Sequence, residues 1–301
     1  MGGRGVALAN AAGAVGCLFT GASIVATRFA VGQIDPVSLA FLRYLIAALC
    51  LAPIVVVLCR QYRLPARDLL VMLVLGALFF GAFPWFFNLS LAYTSATRGA
   101  LVLATSPMMT LALASLVRSE AFTGLKLLAV VAAFAGVAVA IIAGPGGIAG
   151  GGRAWIGDLL MLAAAAIAAT YPVFAKPLLM RHPPVLVTLV SMAGGVAALA
   201  PFAAAHGLFA GLPAFDAGGW LAIVFLGVGG GAIQFGLWIW AVSRLTPTQA
   251  SIFLCLTPIT ALLLAGLILG EALTLALFAG LLMVIAGILL SNWRTPAPKV
   301  P

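Results

Sequence analysis

The chain has 301 residues, 64% of them apolar or aromatic and 7% charged, with a net charge of +9. Soluble domains carry about 25% charged residues, so a water-soluble globule is excluded. A membrane-spanning helix uses roughly 20 apolar residues, which leaves room for about ten spans with short loops. The positive charge reads as Lys and Arg marking the cytoplasmic ends of spans rather than as a nucleic-acid surface.

In chain order, breaks at proline, glycine and charge predict helices at 6–32, 36–58, 68–91, 97–117, 122–143, 156–179, 184–206, 217–241, 248–268 and 272–292. Val6–Ala30 is longer than the roughly 7–15 residues of a signal-peptide core, so it is an uncleaved first span. Asp35-Pro36 predicts a cap and first helical position for helix two, and Thr246-Pro247 does the same for helix nine. Arg43 lies about seven residues into helix two, roughly 10 Å deep, where a guanidinium costs about 2.5–3.5 kcal/mol on insertion scales. Two readings stand: a structural one, snorkelling or bonding a carbonyl-rich helix end, and a functional one, counter-charge for a substrate carboxylate.

Helices three, four, eight and nine carry interruptions: Pro84, Pro107, the run Gly229-Gly230-Gly231, and Pro258. Pro172 breaks helix six. In lipid, freed carbonyls persist only against protein or a water-filled cavity, so these positions are hinge candidates, with a static kink as the alternative. Polar and aromatic residues gather on the same helices. The candidate substrate-binding set is Arg43, Trp85, Asn88, Thr105, Ser106, Tyr171, Gln234, Trp238 and Thr257. Asn88 and Gln234 must find partners at membrane depth and therefore point into the bundle. Trp240, nearer an interface, reads as an aromatic-belt residue.

Helices five and ten are featureless between their ends but carry small residues such as Ala132, Gly136 and Ala140. They read as scaffold or as a homodimer face. Glu120 and Glu271 stand at their starts, and the expected role of each is a helix cap. The six acids all fall at span ends or in loops, as do His182 and His206, so no proton relay is expected inside the membrane. Cys17, Cys50, Cys59 and Cys255 read as small hydrophobes without a disulfide framework. No metal, cofactor or catalytic motif is expected.

With ten spans and the N-terminus inside, eleven basic residues are cytoplasmic: Arg4, Arg60, Arg63, Arg67, Arg118, Lys126, Lys176, Arg181, Arg244, Arg294 and Lys299. Three, Arg28, Arg98 and Arg153, are outside. That bias predicts both termini in the cytoplasm.

The chain also repeats. Gly76, Ser106-Pro107, Glu120 and Gly136 match Gly227, Thr257-Pro258, Glu271 and Gly287 at an offset of 151 residues. Asn10 and Arg28 match Asp158 and Lys176 at 148, the slip expected of a loop-length difference. In each half a proline precedes an E-A-[FL]-T motif by thirteen residues: Glu120-Ala121-Phe122-Thr123 and Glu271-Ala272-Leu273-Thr274. Five spans per half force the second copy into the membrane from the opposite side. The fold expected is therefore all-α and polytopic, ten transmembrane helices as two inverted five-helix repeats. Residues 1–143 and 156–301 are the halves, and 144–155 is a Gly-rich linker. Inverted repeats are the usual architecture of secondary transporters, with the substrate site near the midplane. Arg43 has no basic counterpart in the second half, so the site is expected to be asymmetric.

The paired P-x12-E-A-x-T motifs, the two five-helix halves and the lone Arg in span two resemble the drug/metabolite transporter superfamily, in its EamA-type branch, over nearly the whole chain. Within it the chain is similar to bacterial aromatic amino acid exporters. The resemblance implies a multi-pass inner-membrane carrier of neutral or zwitterionic metabolites, with no cofactor and no nucleic-acid partner. Weak or no proton coupling is expected from the missing mid-span carboxylate. A nucleotide-sugar or phosphate-ester antiporter is the alternative, and a lipid-modifying membrane enzyme the remaining class.

Overall fold

The structure, a computed structural model, describes residues 3–59, 62–117, 124–142, 153–210, 215–242, 244 and 253–292. Glu120, Thr246-Pro247, residues 144–152, and Arg60, Arg118, Arg294 and Lys299 lie outside the described residues. Among those described, all regular structure is helical. We number the helices α1 (Gly3–Ala30), α2 (Pro36–Cys59), α3 (Ala66–Tyr93), α4 (Ala96–Leu116), α5 (Gly124–Ile142), α6 (Ala154–Arg181), α7 (Pro184–Ala205), α8 (217–242), α9 (Leu256–Leu269) and α10 (Leu275–Asn292). Seven of them, α1–α4 and α6–α8, are long and apolar enough to cross a membrane. The apolar stretches of α5, α9 and α10 are shorter, Leu127–Ile142, Leu256–Leu269 and Leu275–Leu290. This is a multi-pass membrane protein.

Helix ends follow local chemistry. Asp35 Oδ1 accepts from the amides of Val37 and Ser38 at 3.1 and 3.0 Å, capping α2 ahead of Pro36 as expected. Ser95 caps α4 through the Arg98 amide, and Asp216 caps α8 through the Gly219 amide at 2.6 Å. The Gly219 and Gln33 bonds hold the Asp216 carboxyl below its ordinary value. Gly270 ends α9 at φ +66°, a left-handed conformation that favours glycine.

The interruptions take definite forms. A π-helical turn spans Ala77–Ala82 in α3, and another spans Phe225–Ile233 in α8. Pro84 follows the π turn directly, where the α-helical stretch resumes at Phe83. α4 breaks between Leu103 and Ser106, with Pro107 in the first turn beyond, and α9 starts afresh at Leu256 just before Pro258. Ala175 separates Ala154–Phe174 from Lys176–Arg181 in α6, three residues beyond Pro172.

Two groups of three helices make the body: α3 and α4 pack on α6, and α8 and α9 pack on α1. α2 lies against α7 and α8, and α7 against α2 and α3. Gly76 sets α3 on the Ser191 backbone of α7, and Gly227 and Gly231 set α8 on Ile46 and Ala47 of α2. α5 and α10 pack tightly on each other. A methyl group on Gly136 would stand 2.7 Å from the Gly280 carbonyl oxygen, and one on Gly287 the same 2.7 Å from that of Ala129. Both pairs, 136 with 287 and 129 with 280, are 151 apart. Close backbone approach packs those small-residue faces on each other inside one chain.

Candidate functional site

The widened turn of α3 brings its phenylalanines against rings from three other helices. Phe79 stacks on Tyr171 of α6 at 4.5 Å between centroids and on Phe83 at 5.6 Å, and meets Phe235 of α8 at 6.4 Å. Phe80 packs edge-on to Tyr44 of α2 at 5.1 Å and lies 5.4 Å from Phe235. Tyr44 and Phe80 are buried, whereas Phe79, Phe83, Tyr171 and Phe235 are half-buried. π turns recur at functional sites because the extra residue re-aims side chains. The Tyr171 hydroxyl bonds Ser191 Oγ of α7 at 3.2 Å.

Beside this cluster stands Arg43, 7% exposed, its guanidinium 5.3 Å from the Tyr44 ring centre. Its Nη2 donates to the Gly230 carbonyl at 3.0 Å, and its buried Nε has no partner among the described residues. A carbonyl bond alone leaves the charge uncompensated, and a buried, half-bonded guanidinium is expensive. Gly230 also lies against Ser23 of α1, whose buried hydroxyl has no partner among the described residues. Gln234, four residues further along α8, holds a buried Oε1 that is unpartnered too.

The remaining candidates are placed apart from this site. Trp85 packs 5.0 Å from Phe202 of α7, in a cluster with Phe41 and Leu199 rather than with the rings. Asn88 donates to the Pro36 carbonyl at 2.9 Å, tying α3 to the start of α2. Thr105 and Ser106 bond the carbonyls of Val102 and Leu103 at 2.7 and 2.6 Å, closing the break in α4. Thr257 reaches the Cys17 carbonyl at 3.4 Å, joining α9 to α1. Trp238 is half-buried on the face of α8 next to Gly16 of α1. Sequence reasoning missed Tyr44, Phe79, Phe80, Phe83 and Phe235. The signal available was the density of phenylalanine from 79 to 87, which hydropathy alone counts as lipid-facing bulk.

Charges close the two ends of the bundle. At the end where α2 starts, Glu271 caps α4 across the bundle, accepting from the Ala96 and Thr97 amides at 2.7 and 3.0 Å and from Thr97 Oγ1 at 2.7 Å. This corrects its expected role. It is a cap, but of α4 and not of its own helix, because the turn after Gly270 throws the side chain across. Arg28 of α1 donates to the Leu91 carbonyl of α3 at 2.7 Å. Asp158, expected at a span end, is buried there in an ion pair with Arg98 and accepts from Thr94 at 3.1 Å. A cleft of ≈ 200 Å³ opens among Arg28, Thr94, Arg98 and Glu271. At the opposite end, His182 Nε2 meets Asp68 at 2.7 Å, and its Nδ1 meets the Tyr62 hydroxyl at 2.7 Å.

An all-helical membrane body with an aromatic interior, a buried cation and helices broken beside it defines a membrane carrier by class. The EamA-like transporter family model matches residues 7–142 and again 155–293, and the chain belongs to that family. An uncharacterized transporter of Archaeoglobus fulgidus is 29% identical over 276 residues, 90% of this chain and 93% of that one. A probable terminal-alkyne amino-acid exporter of Streptantibioticus cattleyicolor is 32% identical over 232 residues, 76% of this chain and 75% of that one. A chain of known crystal structure shares the fold at a TM-score of 0.67 and 22% identity, covering 94% of this chain and 96% of the other.

Proposed function

We propose that this EamA-family transporter exports neutral or zwitterionic amino acids, aromatic or large and apolar, across a bacterial inner membrane by alternating access. The observation that carries the substrate reading is Arg43, buried and half-bonded beside a multi-ring aromatic cluster. The Streptantibioticus relative, named for amino-acid export, supports the same class. Arg43, Tyr171 and Gln234 are the binding residues retained from the sequence, and the interruptions at Pro84, Pro107, Pro172, Gly229–Gly231 and Pro258 are the hinges.

The machine is two inverted five-helix repeats, residues 1–143 and 156–301. Contacts that recur at the 148- and 151-residue offsets support this, as does the twofold match of the family model. The end holding Arg28, Arg98 and Arg153 faces outward, and the termini lie in the cytoplasm. Glu271 and Arg28 hold the outer end shut. Among the described residues the buried carboxylate is Asp158, already paired with Arg98. That supports transport with weak or no proton coupling.

Counterflow of radiolabelled L-phenylalanine, L-tryptophan, L-threonine and a nucleotide sugar into proteoliposomes, with and without a pH gradient, tests this reading. Uptake of the aromatic amino acids, indifferent to the gradient, is expected. Movement of the nucleotide sugar alone would replace the substrate class, and dependence on the gradient would overturn the coupling.

A further inference from the structure

The sequence offsets map the two walls of the interior onto each other position by position. Ser23 and Arg43 correspond to Tyr171 and Ser191 at 148, and Phe79 and Phe83 correspond to Gly230 and Gln234 at 151. The contacts follow the same map, since Ser23 touches Gly230 where Tyr171 stacks on Phe79. Equivalent places therefore hold opposite chemistry. On one wall, Tyr171 and Ser191 satisfy each other's hydroxyls at 3.2 Å and turn rings inward. On the other, Ser23 Oγ, Arg43 Nε and Gln234 Oε1 are all buried and have no hydrogen-bond partner among the described residues.

Buried polar atoms are normally bonded, and each exception needs a reason. Ser38, Asn88 and Ser90 carry other such atoms among the described residues, but the three on Ser23, Arg43 and Gln234 stand together around Gly230. Arg43 Nε–H is a donor beside a positive charge, the Ser23 hydroxyl gives or accepts, and Gln234 Oε1 is an acceptor. A carboxylate satisfies the first two, and an ammonium satisfies the third. We propose that Ser23, Arg43 and Gln234 read the carboxylate and ammonium of an α-amino acid, while Phe79, Phe83 and Tyr171 on the opposite wall hold its apolar side chain. The assignment rests on the carrier reading above and adds to it the orientation of the substrate. It also gives the glycine at position 230 a reason. Any side chain there would run into Ser23 and stand 3.4 Å from Arg43 Nη2, filling the space between hydroxyl and guanidinium.

Counterflow of radiolabelled L-phenylalanine, with unlabelled L-phenylalanine, 3-phenylpropionate or phenethylamine as competitors, tests the orientation in full-length proteoliposomes. Wild type is expected to prefer the complete zwitterion over both fragments. Arg43→Gln is expected to lose about ten- to a hundredfold of the preference for L-phenylalanine over phenethylamine, the worth of one charged hydrogen bond. Arg43→Lys restores part of it. Gln234→Leu is expected to lose discrimination against 3-phenylpropionate while keeping it against phenethylamine. Phe79→Ala weakens all three ligands alike. Should Arg43→Gln fail to yield folded protein, Ser23→Ala and Gln234→Leu carry the same comparison. Unchanged competitor ratios in Gln234→Leu and in the Arg43 or Ser23 variant, with wild type active, overturn the orientation alone. A wild type that moves no amino acid overturns the carrier reading and this assignment with it.

Discussion

Glu271→Gln tests the outer closure. The wild-type carboxylate accepts three bonds from the first turn of α4, at 2.7, 3.0 and 2.7 Å. The amide keeps one oxygen for the Ala96 amide and turns an NH2 group toward Thr97, whose hydroxyl can accept from it while the Thr97 amide loses its acceptor. Losing one charge-assisted bond costs about 1.5–3 kcal/mol, and losing the negative charge at a helix N-terminus costs about 0.3–1 kcal/mol more. The sum, about 2–4 kcal/mol, moves an equilibrium roughly thirty- to a thousandfold. If Glu271 bonds α4 only while the outer end is shut, all of that falls on the closed state. Spin labels at Trp155→Cys and Leu221→Cys, 52% and 71% exposed at the outer ends of α6 and α8, report the separation in a chain whose own cysteines are replaced. Pulsed dipolar spectroscopy is expected to show a longer-distance population in Glu271→Gln that wild type lacks. Distances and counterflow both unchanged would mean the contact persists through the cycle, and the latch reasoning would fail.

Three further outcomes are expected. Gly136→Leu, forced against the Gly280 carbonyl, should cost about 1–3 kcal/mol or more and lower the melting temperature in detergent; Gly124→Ala, with nothing within 4 Å, should not. Equal melting of Gly136→Leu and wild type would contradict the close α5–α10 packing. Asp158→Asn and Arg98→Met should each destabilise by about 3–5 kcal/mol, because each removes one member of a buried ion pair; replacing both with apolar residues should cost less than the two single changes together, and simple additivity in thermal unfolding would argue against coupling. At Asp216 the folded carboxyl titrates below its ordinary value, so its cap on α8 is present above that value and is lost as pH falls through the lowered one. Hydrogen-exchange protection of the Gly219 amide should drop in that acid window, and Asp216→Ala should show low protection at every pH.

The chain by itself determined the membrane class, the start of α2 and the paired motifs, because those depend on local apolar length, on a cap read from adjacent residues and on identities at a fixed spacing. Pro84 and the triglycine marked where helices change character, but not that the change is a π turn, since that depends on what packs against the freed turn. The destination of Glu271 was illegible for the same reason: its acceptor role is local chemistry, whereas its partner on α4 is 175 residues away in sequence. Arg43 announced itself by charge, while Ser23 is an ordinary serine in the sequence and becomes a candidate ligand only when Gly230 brings α8 against it. Hydropathy cannot separate a phenylalanine facing lipid from one facing a substrate, because both environments are apolar. Only the tertiary arrangement of α1, α2, α3, α6 and α8 set the phenylalanines of α3 on one wall of the proposed site and the polar atoms of Ser23, Arg43 and Gln234 on the other.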